Sequence, residues 1–414
     1  MEWGDITPLR TTTIRLLEGD LFVLVVNKHG LQTDNANLYC SIVLRPTSMA
    51  LATMQARMDA VCQFHNWCGE RGIDFLQRLE SGEYFDQPEL AALREALRRN
   101  LVYCPGKRRS SPNKGRKKTE RPTVSVGHWR NRCAAVRDYV AWFAEGIIQR
   151  LRLDDTRLSG MRDRLSSFKE NIVDGIVVRH TPMREGLSEE EEPIFLAAVT
   201  PGDPSNPFAP RNQIRNHALW LTYYDGGLRL GEGLGLKTTD CHLNGPKKKL
   251  VVHRRPDAAE DPRRKKALAK TLPHPVDIGD RLARVLHDFI VNHRPSYPGA
   301  KRSPYVFPSE DGGPLTHGTV AYMYTKLREK VSGLPQDFST NDARRAWNNR
   351  FAVAAEQAGM TDERSAVVAN QAQGRVPTSV QAEAYRGRHN RKKAAEIMQR
   401  MQDQAVGKIV EAGE

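Results

Sequence analysis

Between residues 47 and 172 apolar side chains recur at steps of three and four, a spacing that only an α-helix gathers onto one face. Leu51, Met54, Met58, Val61, His65 and Cys68 set the first such stripe over 47–70, with Thr47 or Ser48 as cap and Arg71-Gly72 as stop. A second helix starts at Pro88, where the missing N–H costs nothing, and presents Leu90, Leu93 and Leu97. A third runs from about 129 to 151 with Val136, Val140, Phe143 and Ile147 on one side, and a fourth carries Leu158, Met161, Leu165, Phe168 and Ile172. Amphipathic helices in this succession must pack on one another, which predicts a small all-α domain over 46–178.

The chain before Pro46 follows another rule. Leu21 to Val26 (LFVLVV) is a continuous β-rich run between polar segments and predicts a strand within an N-terminal arm, 1–45. A further domain, 179–414, is predicted from a change in pattern. GLSEEEEPIFLAAV (186–199) reads as an N-capped helix with acids in its first turn, and from Arg211 onward helices alternate with β-rich segments.

Two basic stretches interrupt this order. Residues 105–122 hold Lys107, Arg108, Arg109, Lys114, Arg116, Lys117, Lys118 and Arg121 against a single acid, Glu120, with prolines at both ends and no apolar side chain. Such a segment cannot bury a core, and is either a solvated linker or an arm that follows phosphates. Lys247 to Lys270 contains ten more Lys or Arg and three acids. The whole chain carries 63 Lys+Arg against 49 Asp+Glu, a net +14, which is the electrostatic footprint of a nucleic-acid binder.

Other function classes lose ground on motifs. The six cysteines (Cys40, Cys62, Cys68, Cys104, Cys133, Cys241) show no CxxC pair, which argues against zinc and against a disulfide framework and fits a reduced cytoplasm. No Walker-type phosphate loop and no HExxH occurs. No apolar run approaches 18 residues and the N-terminus lacks a signal-peptide pattern, so neither a membrane span nor export is expected.

The segment RNHALWLTYYDGGLRLGEGLGLKTTDCHL, 215–243, offers Gly227, Leu228, Arg229, Glu232, Gly235, Leu236 and Asp240 in the spacing G-L-R-x-x-E, then G-L and an acid. Two strands joined by a long basic hairpin follow, with Lys270-Thr271 near its end; TNDARRAWNNRF (340–351) and GRVPTSVQAEAYRGRHNRKKAAE (374–396) come next. In this order the four boxes resemble those of the tyrosine recombinase (phage integrase) family, over roughly residues 46–405. The resemblance implies a mainly α chain with an α+β catalytic domain. A helical, SAM-like core-binding domain would precede it, the two forming a clamp around double-stranded DNA.

What the resemblance implies chemically can be set against physical need. Tyr385 falls on the nucleophile, an oxygen whose phosphodiester product stores the bond energy for religation, though a phenol of pKa about 10 needs activation at neutral pH. Arg229 and Arg344 fall on the phosphate clamps, where planar guanidiniums give two-pronged contact with developing charge. Lys270 falls on the general acid, although Arg254 or Lys266 could reach the same place, and Glu232 falls on a supporting position. No metal or other cofactor enters this scheme. The loop cations, with Arg254 and Arg255 of the hairpin, are expected to contact DNA phosphates.

Two positions depart from the family. Asn341 stands where the H-x-x-R box has His, and Arg375 where His or Trp follows the glycine of the last box. Asn donates a hydrogen bond but shuttles no proton, and Arg stays protonated. Positioned acid–base groups contribute about 10²–10⁴ in rate, so cleavage would be slowed while binding survives. Two readings remain: a site-specific recombinase or integrase of a mobile element, or a recombinase-fold DNA-binding subunit with weakened cleavage. The terminal stretch, where Ala394, Ile397, Met398, Met401 and Ala405 recur at helical spacing, would pack on its own domain or on a neighbouring protomer. Assembly as a homo-oligomer on DNA or with related recombinases, in a bacterial cytoplasm and on the nucleoid, completes the expectation.

Overall fold

The computed structural model describes residues 8–16, 21–47, 49–100, 122–178, 185–255, 258, 260–263, 266–269, 271–376, 378–379 and 387–411. The chain divides into two compact units, Met1–Thr181 and Pro182–Glu414.

The first unit opens with an antiparallel hairpin, β1 (Arg10–Arg15) and β2 (Leu21–Val26), in which Arg10 faces Val26 and Arg15 faces Leu21. Val23 and Val25 are wholly buried because β2 lies on the helices rather than in solvent. The helix α1 (Asp34–Tyr39) fastens it: Asn37 Nδ2 donates to Val25 O and Asn37 Oδ1 accepts from Val25 N, at 2.9 and 2.8 Å. The N-terminal hairpin is thus part of the first unit's core, since an all-apolar strand must be covered on both faces.

The helices α2 (Leu51–Glu70), α3 (Phe75–Ser81), α4 (Gln87–Arg98), α5 (Val126–Arg150) and α6 (Leu158–Asn171) complete this unit. The beginning of α4 is fixed by a reciprocal cap in which Asp86 Oδ1 accepts from Glu89 N at 2.8 Å and Glu89 Oε2 accepts from Asp86 N at 3.2 Å. Rings of Phe64, His65, Phe75, Tyr139 and Phe143 meet edge to face in the centre, the usual preference of aromatic quadrupoles. His65 Nε2 pairs with Tyr139 Oη at 2.8 Å, and complete burial lowers its pKa to about 4, so this ring is a neutral core residue.

The second unit contains α7 (Glu191–Val199), α8 (Pro210–Tyr224), α9 (Leu230–Gly235), a three-stranded antiparallel sheet, and α10 (Asp280–Asp288). The sheet order is β3 (Cys241–His242), β4 (Lys249–Val252), β5 (His274–Asp277), with Leu250 opposite Val276 and Val252 opposite His274. Then come α11 (His317–Lys330), α12 (Thr340–Gln357), α13 (Asp362–Ala372) and α14 (Gly387–Glu411). The α7 helix starts five residues later than Gly186 because Ser188 and Glu191 cap each other there, Glu191 N donating to Ser188 Oγ at 3.1 Å. Trp220 of α8 is fully buried against Phe195 and Tyr324, with Phe338 closing the same cluster. Among the described residues no helix is long and apolar enough to cross a membrane.

Candidate active site

The turn after α8 decides where the first expected arginine sits. Gly227 has φ +63°, and a Cβ there would fall 2.8 Å from the Trp347 indole of α12. Glycine thus allows both the left-handed turn and the close approach of two helices. Arg229 follows at the start of α9, where its N–H donates to Glu232 Oε2 at 2.7 Å and its Nη1 to Glu232 Oε1 at 2.9 Å.

Arg344 reaches the same carboxylate from α12. Its Nη1 lies 3.5 Å from Glu232 Oε2 and donates to Gly227 O at 2.5 Å, while Nη2 donates to Gln373 Oε1 at 2.7 Å. Glu232 and Arg344 are almost wholly buried, whereas Arg229 keeps one-fifth of its side chain in solvent. Burial alone would raise the Glu232 carboxyl, but Arg344 first and Arg229 second hold its pKa below the usual carboxylate range. The carboxylate is therefore ionised and fixes two guanidiniums beside each other. Three residues expected in one site are brought together.

The connection from β4 to β5 runs past this cluster. Gly231 and Gly235 of α9 leave room for the backbone of Leu268 and Ala267, whose carbonyl oxygens would lie 2.4 and 3.0 Å from added Cβ atoms. Ala269 is buried and Thr271 Oγ1 donates to Glu232 Oε1 at 2.9 Å. Lys270, between them, falls outside the described residues, as do Tyr385 and the eight cations of the 105–122 loop. Of the alternatives to Lys270, Lys266 is buried and Arg254 is exposed.

The remaining expected residues are distributed differently. Arg375 is buried one residue after the Gly374 turn, with Nη1 3.4 Å from Asn370 Oδ1. Asn341 lies exposed in the first turn of α12. Arg255, expected on phosphate, donates Nη1 and Nη2 to Asp240 Oδ2 and Oδ1 at 2.9 and 2.7 Å, and that side-chain bond raises its pKa. Arg263 of the same basic stretch turns inward to Asp261, Leu234 O and Leu315 O, under the Tyr305 ring. Part of the hairpin's charge thus fastens the hairpin base.

Two participants have no role assigned from the sequence, although Thr271 is named there beside Lys270. Gln373 is the acceptor that completes the Arg344 shell, and Thr271 is a third partner of Glu232. Only the adjacent glycine, Gly374, marked the first. The terminal helix is held by Lys393 Nζ, 3.1 Å from Glu356 and 3.4 Å from Asp362, while Ile397, Met398 and Met401 are each more than half exposed.

Residues 198–355 match the model of the phage integrase family. No curated protein is a significant match. Among solved structures, the XerH site-specific recombinase bound to palindromic difH substrate in a post-cleavage complex superposes with a TM-score of 0.50 at 15% identity, covering 88% of this chain and 84% of that one. Its pre-cleavage complex with difH gives the same TM-score and coverage at 14% identity. A Tn1549 transposon integrase in complex with a circular intermediate DNA is similar with a TM-score of 0.45 at 14% identity, over 86% of this chain and 95% of that one. The matched segment runs through α8, α9 and most of α12, the helices that deliver Arg229, Glu232 and Arg344 to one buried point. The stretch 198–355, which carries all three of these residues, matches the phage integrase family.

Proposed function

We propose that this protein is a site-specific recombinase or integrase of a mobile element, acting on double-stranded DNA through a 3′-phosphotyrosine intermediate. The observation that carries the reading is the ionised, buried Glu232 holding Arg229 and Arg344 side by side. Paired guanidiniums preorganised in this way suit a phosphodiester whose negative charge grows in the transition state. Tyr385 Oη attacks the scissile phosphorus, the bond to the 5′ oxygen breaks, and Lys270 gives that oxygen a proton. The phenol proton leaves to solvent, because Asn341 and Arg375 offer no base at neutral pH. Attack by a 5′-hydroxyl on the phosphotyrosine reverses the sequence and rejoins the strand.

The loop cations Lys107, Arg108, Arg109, Lys114, Arg116, Lys117, Lys118 and Arg121, together with Arg254, hold the DNA backbone. The exposed apolar positions of α14 serve assembly with further copies or with related recombinases, in a bacterial cytoplasm. A second reading has its own observation: both terminal nitrogens of Arg344 donate inward, to Gly227 and Gln373. A protein with that arginine permanently occupied would bind DNA as a targeting or architectural subunit and cleave poorly.

A nicked suicide substrate made from the element's own ends tests the reading. The wild type should trap a covalent protein–DNA band and Tyr385→Phe should not, at unchanged DNA affinity. A band that persists in Tyr385→Phe reassigns the nucleophile. Tight specific binding with no band in the wild type leaves the targeting reading.

A further inference from the structure

The segment entering β5 touches both halves of the arginine cluster. Thr271 Oγ1 donates to Glu232 Oε1 at 2.9 Å, and both groups are buried. One residue on, Leu272 N donates to Gly374 O at 3.3 Å. Gly374 has φ +60°, and a Cβ on it would overlap the His274 ring at 2.1 Å from Nδ1, so the turn lies flush against the strand entrance. His274 is itself oriented by Nδ1 on Leu272 O at 2.9 Å. Gln373, next to Gly374, accepts from Arg344, which returns to Glu232. These bonds form a closed circuit: Glu232 to Thr271, along the chain to Leu272, across to Gly374, back to Gln373, to Arg344, and to Glu232 again.

A circuit of this kind has a mechanical meaning. Glu232 alone could tilt toward either arginine, because a carboxylate offers about four lone-pair directions. Thr271 occupies one of them and ties the carboxylate to a backbone that also positions the acceptor of Arg344. We propose that Thr271 is a positioning residue of the cleavage site, which fixes the Glu232 carboxylate so that Arg229 and Arg344 meet the scissile phosphate in register. The proposal rests on the recombinase reading above and concerns the same site. Thr271 touches no substrate; it acts through Glu232.

The test compares full-length wild type, Thr271→Val and Thr271→Ser. Valine keeps the shape and removes the donor, and serine restores the donor. On the suicide substrate at saturating DNA, Thr271→Val should form adduct about tenfold more slowly, the scale of one hydrogen bond to a charged group. DNA affinity should be unchanged, and Thr271→Ser should recover to within about twofold of wild type. Wild-type speed in the valine variant, a serine variant as slow as valine, or a slow rate matched by an equal loss of affinity would each overturn the proposal. A second measurement does not depend on cleavage. In ¹⁵N-arginine-labelled protein, the guanidinium protons absent from Arg344→Lys should exchange with solvent faster in Thr271→Val than in wild type. Unaltered exchange refutes the positioning role even if the recombinase reading stands. Faster exchange with no adduct from any variant leaves the positioning role intact and removes the recombinase reading.

Discussion

The Glu232 carboxylate lies 3.5 Å from the Arg344 guanidinium, with the two side chains 1% and 2% exposed. A buried pair of this kind is costly to break, because the partner that stays behind is an uncompensated charge. Glu232→Ala is expected to lower the unfolding free energy of the second unit by about 3–5 kcal/mol. Glu232→Gln, which can still bond Arg229 and Thr271, should lose less. Urea denaturation of the three proteins checks this ordering, and equal midpoints would show that the pair is not stabilising.

The same carboxylate predicts an acid response. Its folded pKa is depressed by Arg344 and Arg229, so its contribution is fully present above the unfolded value of about 4.3. That contribution is lost as pH falls through the lower folded value. The stability gap between wild type and Glu232→Gln should therefore narrow below about pH 4.3 and be constant between pH 6 and 8. A gap that instead widens on acidification would mean that Glu232 is protonated in the folded protein.

Gly227 joins two demands at one residue, a φ of +63° and an indole 2.8 Å from where a Cβ would sit. Gly227→Ala should cost about 1–3 kcal/mol in backbone strain alone. It should also displace the carbonyl that accepts from Arg344. Pairing it with Trp347→Ala should recover the steric part of the loss and leave the strain. Thermal unfolding of the single and double variants separates the two, and a silent Gly227→Ala would remove the turn from the account of the site.

How much of this was legible in the sequence depends on whether a signal is local. The stripe from Leu51 to Cys68 and the apolar run Leu250 to Val252 beside a basic hairpin are written in neighbouring residues, and the corresponding helix and strand are present. The G-L-R-x-x-E spacing likewise encodes its own outcome, because Glu232 is three residues from the arginine it caps. Strand β1, RTTTIR, is half exposed and carries a single large apolar side chain, so its pairing with β2 left no periodicity to read. Gln373 is 29 residues from Arg344, and Thr271 is 39 from Glu232. Such partners become visible only when separate elements converge. The packing of β2 against Asn37 was hidden for the same reason.

Salt dependence tests the basic loop. Each phosphate neutralised contributes about −0.9 to the slope of log affinity against log salt. Replacing the eight cations of 107–121 by Ser should flatten that slope by several units, measured by fluorescence anisotropy. Arg255→Ala, whose guanidinium is bound to Asp240, should change it by less than about one. An unaltered slope in the loop variant would make the segment a linker.

The departures at 341 and 375 give opposite expectations. Asn341 is exposed and free of packing demands, so Asn341→His can supply a titratable ring, raising adduct formation toward about 10²-fold. Arg375 is buried beside Asn370, so Arg375→Trp should reduce both stability and cleavage. Single-turnover rates read both. Faster cleavage by Arg375→Trp would show that the guanidinium obstructs chemistry.

The hold of Lys393 and His389 on Glu356 has a consequence for the segment that contains Tyr385. Upstream, Asn370 Nδ2 clasps Ser379 O at 2.8 Å. Downstream, α14 is tied to the C-terminal end of α12, the helix that bears Arg344. Ser379 and the start of α14 are thus each held on the second unit, and the seven residues that separate them in the sequence can span at most about 25 Å. In the proposed mechanism, a phenol delivered on so short a leash would have a high effective molarity toward a phosphate held by Arg229 and Arg344. Lengthening the leash with glycines would dilute it, and the chemistry should slow as the tether grows although every residue of the arginine cluster is untouched.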